Sequence, residues 1–580
     1  MSGKHFVNAP TSAVSDALSG LLLATPSLRA LSSSPHVVVR STPTPGDVAL
    51  LSGGGSGHEP AHAGFVGAGM LHSAVCGGMF ASPSVLEVSR SIAAIAAPGG
   101  PGCLMVVKNY TGDRLNFTLA MNKACGRGVD VRMTVVADDC AVPREQGITG
   151  RRGVAGAVFV HKCAGAASAG GGALDEVERV AGLVGGRVMS MGCSLGSVAL
   201  PGAGGGERLG KDQMEVGMGI HGEQGASREK IRPCKEIVKE ICGQIVDYGY
   251  GEGGRTKIKK GDKLALLVNN LGATSVFEMY IIARDAIEYF KGLGCKVDRC
   301  YVGSFMTSFG MHGASVSALV LDEAGEIAEL LDAPTECKAW QMAESLSATP
   351  PPGPLPMPDT TPDNKAPFKE SVAIPDFAAA ATAAVTAIAA GLSAAEAELT
   401  ENDKVVGDGD CGITMKRGAD ALLAAVPGYS LSAPSQLFLE MADTVSAAMG
   451  GTSGALFEIF CRSAALHLRA AQAGGAAPVT GAALAGALCA GADAVRAAGG
   501  ARVGYRTMVD ALEPAAAAAR AGGSPGDAAR AAREGAESTR EMRALAGRSN
   551  YVPFERVKGI PDPGAVAVAI IIEAIAGSCA

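Results

Sequence analysis

Along residues 1–335, short and almost uninterrupted apolar runs alternate with glycine-rich loops. Val37–Val39, Val48–Leu51, Leu104–Val107, Met133–Ala137, Ala157–Val160, Leu264–Val268 and Cys300–Val302 read as strands. A strand covered on both faces has no solvent side, so its pattern is continuous rather than alternating. Lys235–Val246 and Ser275–Phe290 predict helices between some of them, which makes this an α/β region. The pattern breaks at Ala348–Pro367, where Pro350, Pro351, Pro352, Pro354, Pro356, Pro358, Pro362 and Pro367 crowd together. Proline at that density continues neither a helix nor a central strand, so an extended interdomain linker is expected. Residues 372–580 then turn alanine-rich, with helices predicted at Phe377–Ala390, Ser435–Met449, Leu456–Ala473 and Ala482–Ala497 and no β pattern. The apolar Gly564–Ala580 is short for a membrane span and contains Glu573, so it reads as a buried last helix.

Composition sharpens this only in part. A chain of 580 residues is too long for one ordinary core, and 47% hydrophobic with 18% charged residues is globular rather than disordered. A net charge of -7 gives no basic footprint for nucleic acid or an anionic membrane. The 15 cysteines are scattered without a CxxC pair, which favours free thiols in a reducing compartment. Asp16 and the lack of an Arg-rich run argue against a transit peptide, although Ser/Ala/Leu richness up to Ser34 leaves it open.

Chemistry concentrates where strands end. Val48–Leu51 runs into Ser52–Pro60, Leu104–Val107 into Lys108–Arg114, and Leu264–Val268 into Asn269–Gly272. In open α/β sheets ligands bind beyond the carboxyl ends of strands, so three such loops together outweigh a reading of each as a tight turn. Two motifs are decoys. His58-Glu59-Pro60-Ala61-His62 matches a zinc-peptidase pattern, but that pattern needs one continuous helix and Pro60 interrupts it. Gly217–Gly222 fits GxGxxG, but Lys211–Glu215 before it is not expected to be a buried strand. His221, in that loop and followed by Glu223, is open to a packing role as much as to one as base, ligand or nucleophile.

In the second region Asp403, Asp408 and Asp410 fall within eight residues, among Gly407, Gly409 and Gly412. So many carboxylates repel unless a cation neutralises them, and hard oxygen ligands suit a divalent ion beside phosphates. Gly450–Gly454 offers small residues and hydroxyls before a helix, Arg506–Asp510 a cation, a hydroxyl and a carboxylate, and Asp562-Pro563-Gly564 opens the last helix.

Taken together, SGGGSGHEPAHAGF (52–65), KNYTGDRLNF (108–117), GMGIHGE (217–223), VNNLG (268–272), GDGDCG (407–412), GGTSGA (450–455) and DPGAV (562–566) resemble the ATP-dependent dihydroxyacetone kinases over about residues 5–577. The resemblance is to their fused two-domain form, which includes the animal triokinase/FMN cyclases. It implies a two-lobed α/β substrate domain at 5–337, a linker at 338–371 and an all-α antiparallel helical barrel that binds nucleotide at 372–577. It further implies that His221 holds the substrate carbonyl as a covalent hemiaminal, that His58 hydrogen-bonds substrate, and that Asp113 takes the proton of the attacking hydroxyl. Gly54, Gly55, Ser56, Gly57 and Lys108 would line that pocket. Asp403, Asp408 and Asp410 would hold Mg2+. Asp410, Cys411, Gly412, Ile413, Thr414, Gly451, Thr452, Ser453, Thr507, Met508, Asp562, Pro563 and Gly564 would contact ATP. The implied reaction is phosphorylation of dihydroxyacetone and of D-glyceraldehyde by free ATP, in a cytoplasmic homodimer. The alternative is an FAD-AMP lyase activity of the helical domain, with Mn2+ or Co2+. Tyr505 stands where the family often has Asp or Ala, and Ile413 where Thr is frequent, with Thr414 the nearby hydroxyl.

Overall fold

A computed structural model describes residues 5–44, 46–143, 150–202, 208–346, 370–472 and 478–579, and the chain divides into units Met1–Leu355 and Pro356–Ala580. The proline-rich stretch at 348–367 lies outside the described residues.

The first unit is built on two sheets. β1 (Leu28–Leu31), β2 (Ser34–Arg40), β3 (Ala49–Ser56), β4 (Ser73–Met79), β5 (Cys103–Lys108) and β6 (Val131–Val136) run in the order β1-β2-β4-β3-β5-β6. The stretch β4-β3-β5-β6 is parallel and the β1–β2 edge antiparallel. β7 (Val188–Ser194), β8 (Gln213–Val216), β9 (Ser227–Lys230), β10 (Lys263–Asn270), β11 (Lys296–Gly303) and β12 (Gly313–Val320) form the second, β11-β10-β12-β7-β8-β9, parallel only between β10 and β11. Around them lie α1 (Ala13–Ala24), α2 (Val85–Ile95), α3 (Thr111–Cys125), α4 (Ala157–Ala169), α5 (Leu174–Gly185), α6 (Cys234–Tyr248), α7 (Val276–Gly292) and α8 (Glu326–Asp332). α7 starts on a full capping box, Ser275 with Glu278, which satisfies two of its orphan N–H groups.

Two sequence readings are corrected, and three strands without a reading are added. Ala157–Val160 is the first turn of α4, not a strand: every residue from Ala157 to Ala166 is buried, so no polar face marks the helical period. β4, β7 and β12 were not legible, because Ser and Gly dilute their apolar runs. Those serines are buried with partners, Ser73 on the Val38 carbonyl and Ser190 on Asp138 and Ser317. Finally, a strand does precede Gly217: β8 has Met214, Glu215 and Val216 buried. It leads across a loop into antiparallel β9 rather than into a helix, so the dinucleotide-binding context is still missing.

The second unit is helical. Its members are α9 (Phe377–Val406), α10 (Cys411–Ala425), α11 (Pro434–Ala448), α12 (Gly451–Gln472), α13 (Gly481–Gly499), α14 (Val509–Arg520), α15 (Pro525–Ser538), the short α16 (Phe554–Val557) and α17 (Pro563–Ser578). From α9 to α15 each packs on the next, α15 packs on α17, and α17 returns to α9, which closes a barrel. α9 is long and apolar enough to cross a membrane, but Val385, Ile388, Ala389, Leu392 and Leu399 from it lie in the barrel core.

Candidate active site

Three glycines explain why the first unit can gather polar groups at the end of β3. A Cβ at Gly53 would lie 2.5 Å from the Val75 carbonyl, so β3 and β4 approach closely, and β3 continues to Ser56 where the sequence suggested a loop. Gly54 has φ +157°, and a Cβ there would meet Lys108 Nζ at 2.6 Å and Asp113 Oδ2 at 3.6 Å. Gly57, at φ +100°, leaves room for the Phe80 ring at 2.7 Å. The β3 backbone therefore touches the cation at the end of β5 and the carboxylate in the first turn of α3.

His58 is fully buried and stacks on Phe80, with centroids 4.9 Å apart. Its Nδ1 lies 2.8 Å from the Thr307 carbonyl, so Nδ1 carries the hydrogen and Nε2 keeps a lone pair. Burial above all, then the charges of Lys108 and His221, holds His58 well below the usual histidine range. His221 sits edge-on to His58 at 4.8 Å, to Phe80 at 5.2 Å and to Tyr110 at 4.7 Å. Its Nδ1 is 2.8 Å from Glu223 Oε1, and its backbone N–H donates to Glu223 Oε2 at 2.9 Å. Burial pushes the Glu223 carboxyl up, but the hydrogen bond and charge of His221 outweigh it and hold the group at about 2. A carboxylate only accepts, so His221 donates Nδ1–H and its Nε2 lone pair is free.

His58 Nε2 and Tyr110 Oη, on two of the rings that flank His221, are buried without partners, as is Asp113 Oδ1, whose carboxylate lies with Lys108 at Gly54. Buried polar atoms are normally satisfied, so these orphans mark a place for a polar ligand. Lys108 is also buried, and its Nζ lies 3.0 Å from His62 Nε2. His62 Nδ1 in turn lies 3.0 Å from His161 Nε2 and 3.3 Å from Ser52 Oγ. His58 and His62 thus serve different partners, and no helix spans Glu59–His62, which removes the zinc-peptidase reading. The Asn269 loop acts at one remove. Asn269 Oδ1 accepts from the N–H groups of Phe305 and Met306 at 2.9 Å and so fixes the segment whose Thr307 carbonyl holds His58. Asn270 closes its own turn with Gly272 and Thr274.

In the second unit, ligand oxygens of Asp403, Asp408 and Asp410 lie within 4.8 Å of one another, the single such group among the described residues. Asp403, in the last turn of α9, accepts from the N–H groups of Asp410 (2.9 Å) and Cys411 (3.0 Å) at the start of α10. Asp408 pairs with Arg548, and Asp410 is exposed. A Cβ at Gly407 would lie 2.2 Å from Asp403 Oδ1, Gly409 has φ +78°, and a Cβ at Gly412 would strike the Glu396 carbonyl at 2.1 Å. Each glycine of the motif is therefore required, and the oxygen-only donor set fits a hard divalent cation.

Asp562 caps α17 through the Ala565 N–H at 2.8 Å. Burial first, then Asp510 and Asp403, pushes its carboxyl up to about 6 although Ala565 and Arg506 oppose this. Arg506 is fully buried at φ +62°, gives one hydrogen bond to the Ile560 carbonyl, and keeps Nε and Nη1 unpartnered. The Thr507 N–H donates to Asp510 Oδ2 at 2.7 Å, and Met508 packs against Gly564. Pro563 and Gly564 form the first turn of α17. Thr414 is buried in α10, whereas Ile413 is exposed and Tyr505 packs on the barrel core. Gly451, Thr452 and Ser453 form the first turn of α12 itself rather than a loop before it. They are tied to α10 by Met449, which a Cβ on Gly418 would meet at 2.3 Å. Phe80, Tyr110 and Arg548 were not among the site candidates, and Arg506 was named only as the cation of its motif. Tyr110 lies inside a motif that named its neighbours, but nothing local marks Phe80 or Arg548.

The Dak1 domain model matches residues 19–339 and the DAK2 domain model residues 405–577. The chain is 42% identical to a putative 3,4-dihydroxy-2-butanone kinase of Solanum lycopersicum, over 98% of this chain and 96% of that one. It is 38% identical to the triokinase/FMN cyclase of Mus musculus, over 99% and 98%. Among solved structures it resembles the dihydroxyacetone kinase of C. freundii in complex with AMP-PNP and Mg2+, with TM-score 0.65, 34% identity and full coverage of both chains.

Proposed function

The chain belongs to the dihydroxyacetone kinase family, and on that premise we propose how its residues carry out ATP-dependent phosphorylation of dihydroxyacetone and of D-glyceraldehyde. The observation that carries the reading is the free Nε2 of His221 between His58 and Tyr110, each with an unpartnered buried polar atom.

His221 Nε2 attacks the substrate carbonyl carbon. The C–N bond forms as the C=O π pair moves to oxygen. That oxygen gains a proton and Nδ1 gives one up, which leaves a neutral hemiaminal. Glu223 stabilises the positive ring while it lasts. His58 Nε2 accepts a hydrogen bond from a substrate hydroxyl, and Asp113 Oδ1 takes the proton of the hydroxyl that attacks the γ-phosphorus. Capture by bond formation selects short ketones and aldehydes by reactivity, since a hydrocarbon or polyol of equal size has no carbonyl to offer. Asp403, Asp408 and Asp410 would hold Mg2+, which neutralises phosphate charge when bound. The unpartnered N–H groups of Arg506 suit phosphate oxygens. We also propose a homodimer, and a cytoplasmic setting in keeping with 15 free cysteines.

The test is ADP release from Mg-ATP with dihydroxyacetone. The wild-type chain should turn over, and His221→Ala should lose about a hundredfold or more. Full activity in His221→Ala would remove the covalent role. FAD cleavage to cyclic FMN, the second activity in the names of the animal relatives, would draw on the carboxylate cluster alone and should survive that substitution.

A further inference from the structure

The loop that carries His221 is held by more than its own glycines. Behind it Arg152 donates from Nε to Asp139 Oδ2 at 2.6 Å and from Nη2 to the Gly217 carbonyl at 2.7 Å. Asp139 is itself buried, and its other oxygen accepts from the Ala141 N–H at 2.9 Å. Gly219 shows what this arrangement demands of the loop. A Cβ there would lie 2.1 Å from Glu223 Oε2 and 2.6 Å from Arg152 Nη1, so the carboxylate and the guanidinium converge on one point that only glycine leaves open. At the far end Arg208 donates to the Gly222 carbonyl at 3.0 Å and to buried Glu215, which also accepts from the Gly225 N–H. Both ends of the loop are therefore clamped, but only Arg152 also lies against the carboxylate that holds His221. Of the glycines that imitate a dinucleotide motif, Gly219 makes room for the Arg152 clamp, while Gly217 and Gly222 are required by their left-handed backbone at φ +76° and +79°.

We propose that Arg152, backed by Asp139, is a positioning residue for His221: it fixes the Gly217 end of the loop and lies against the Glu223 carboxylate that holds the imidazole. This rests on the covalent role assigned to His221 above. A guanidinium beside that carboxylate fixes where it can point, and the carboxylate in turn orients the His221 ring. The other groups that face His221 are His58 and Tyr110, with Asp138 behind Tyr110. None of them supplies a positive charge at Glu223.

The experiment uses the full chain with Mg-ATP and dihydroxyacetone 13C-labelled at C2. The wild type should show the tetrahedral carbon of the adduct by NMR, and His221→Ala should not. Arg152→Gln should raise the dihydroxyacetone KM about tenfold or more while the ATP KM holds, since a displaced reacting group costs rate steeply. Arg152→Lys keeps the charge but not the two-pronged grip, so it should raise the KM as well. Trp340 fluorescence reports whether each variant is folded, and if Arg152→Gln is not, Arg152→Lys alone decides. An adduct in the wild type with an unchanged KM in a folded Arg152→Gln, or in Arg152→Lys, overturns the positioning role. No adduct in the wild type overturns the covalent reading and this inference with it.

Discussion

Asp403 and Asp410 belong to one carboxylate cluster, yet they are held in different ways. Asp403 is buried and accepts two of the N–H groups that open α10, so it is a structural cap as well as an oxygen donor. Asp410 is exposed. Asp410→Asn should therefore raise the Mg2+ concentration needed for half-maximal turnover by about tenfold or more with an unchanged melting temperature. Asp403→Ala should do the same and also cost about 1–2 kcal/mol of stability, the range for losing a helix cap. Melting curves without Mg2+ separate the two, and equal melting losses would contradict the distinction. At this scale the sequence was most legible where chemistry needs a run of unusual residues. Gly407–Gly412 stands out because acidic and flexible residues make a poor core. His58 and Asp113 stand out less, and Arg152 not at all, because its importance comes from Gly217, which lies far off in sequence but 2.7 Å away in space.

Elements were legible where their burial was one-sided or where caps marked their ends, as in α7. α4 was not, since a helix buried on every face loses the period that identifies it. What α4 shows instead is close approach. A Cβ at Gly165 would lie 2.4 Å from Met70 Cα and 2.6 Å from the Gly69 carbonyl, so this helix lies directly on backbone. Backbone cannot rotate away as a side chain can. Gly165→Ala should therefore destabilise the first unit, by about 1–3 kcal/mol for overpacking, despite the higher helix propensity of alanine. Phe159 of the same helix touches the Trp340 ring, with centroids 6.3 Å apart, so urea unfolding followed by Trp340 fluorescence reads the effect. A stabilised Gly165→Ala would show that propensity outweighs the contact.

At the scale of the whole chain the two units should answer acid differently. The first contains eight of the nine histidines, and the second only His467. Burial, with Lys108 next, holds His58 and His62 well below the usual range. Burial, then Arg40 for His72 and Lys108 for His161, brings those two down to about 3. In the unfolded chain such groups titrate near 6.5, so between about pH 6.5 and 3 the unfolded state binds more protons and stability rises with pH. Their contribution is complete above the unfolded value and is lost as the pH falls toward the folded one. At pH 5 His72 and His161 alone should forfeit about 2 kcal/mol each, at about 1.4 kcal/mol per pH unit. Asp562 in the second unit has the opposite sign. Its carboxyl, pushed up to about 6 by burial, binds a proton more readily folded than unfolded, so acidification from neutral pH relieves a cost there. The chain's single tryptophan, Trp340, is buried in the first unit and packs on Tyr301 at 4.6 Å, so its fluorescence follows that unit alone. Its urea midpoint should fall steeply between pH 7.5 and pH 5, while the helical circular-dichroism transition that persists beyond it moves little. Burial also pushes up the carboxyls of Glu59, Asp138 and Asp139 in that unit, which oppose the histidines, so a Trp340 midpoint that stays level or rises toward pH 5 would mean that these carboxyls, not the histidines, dominate its acid response.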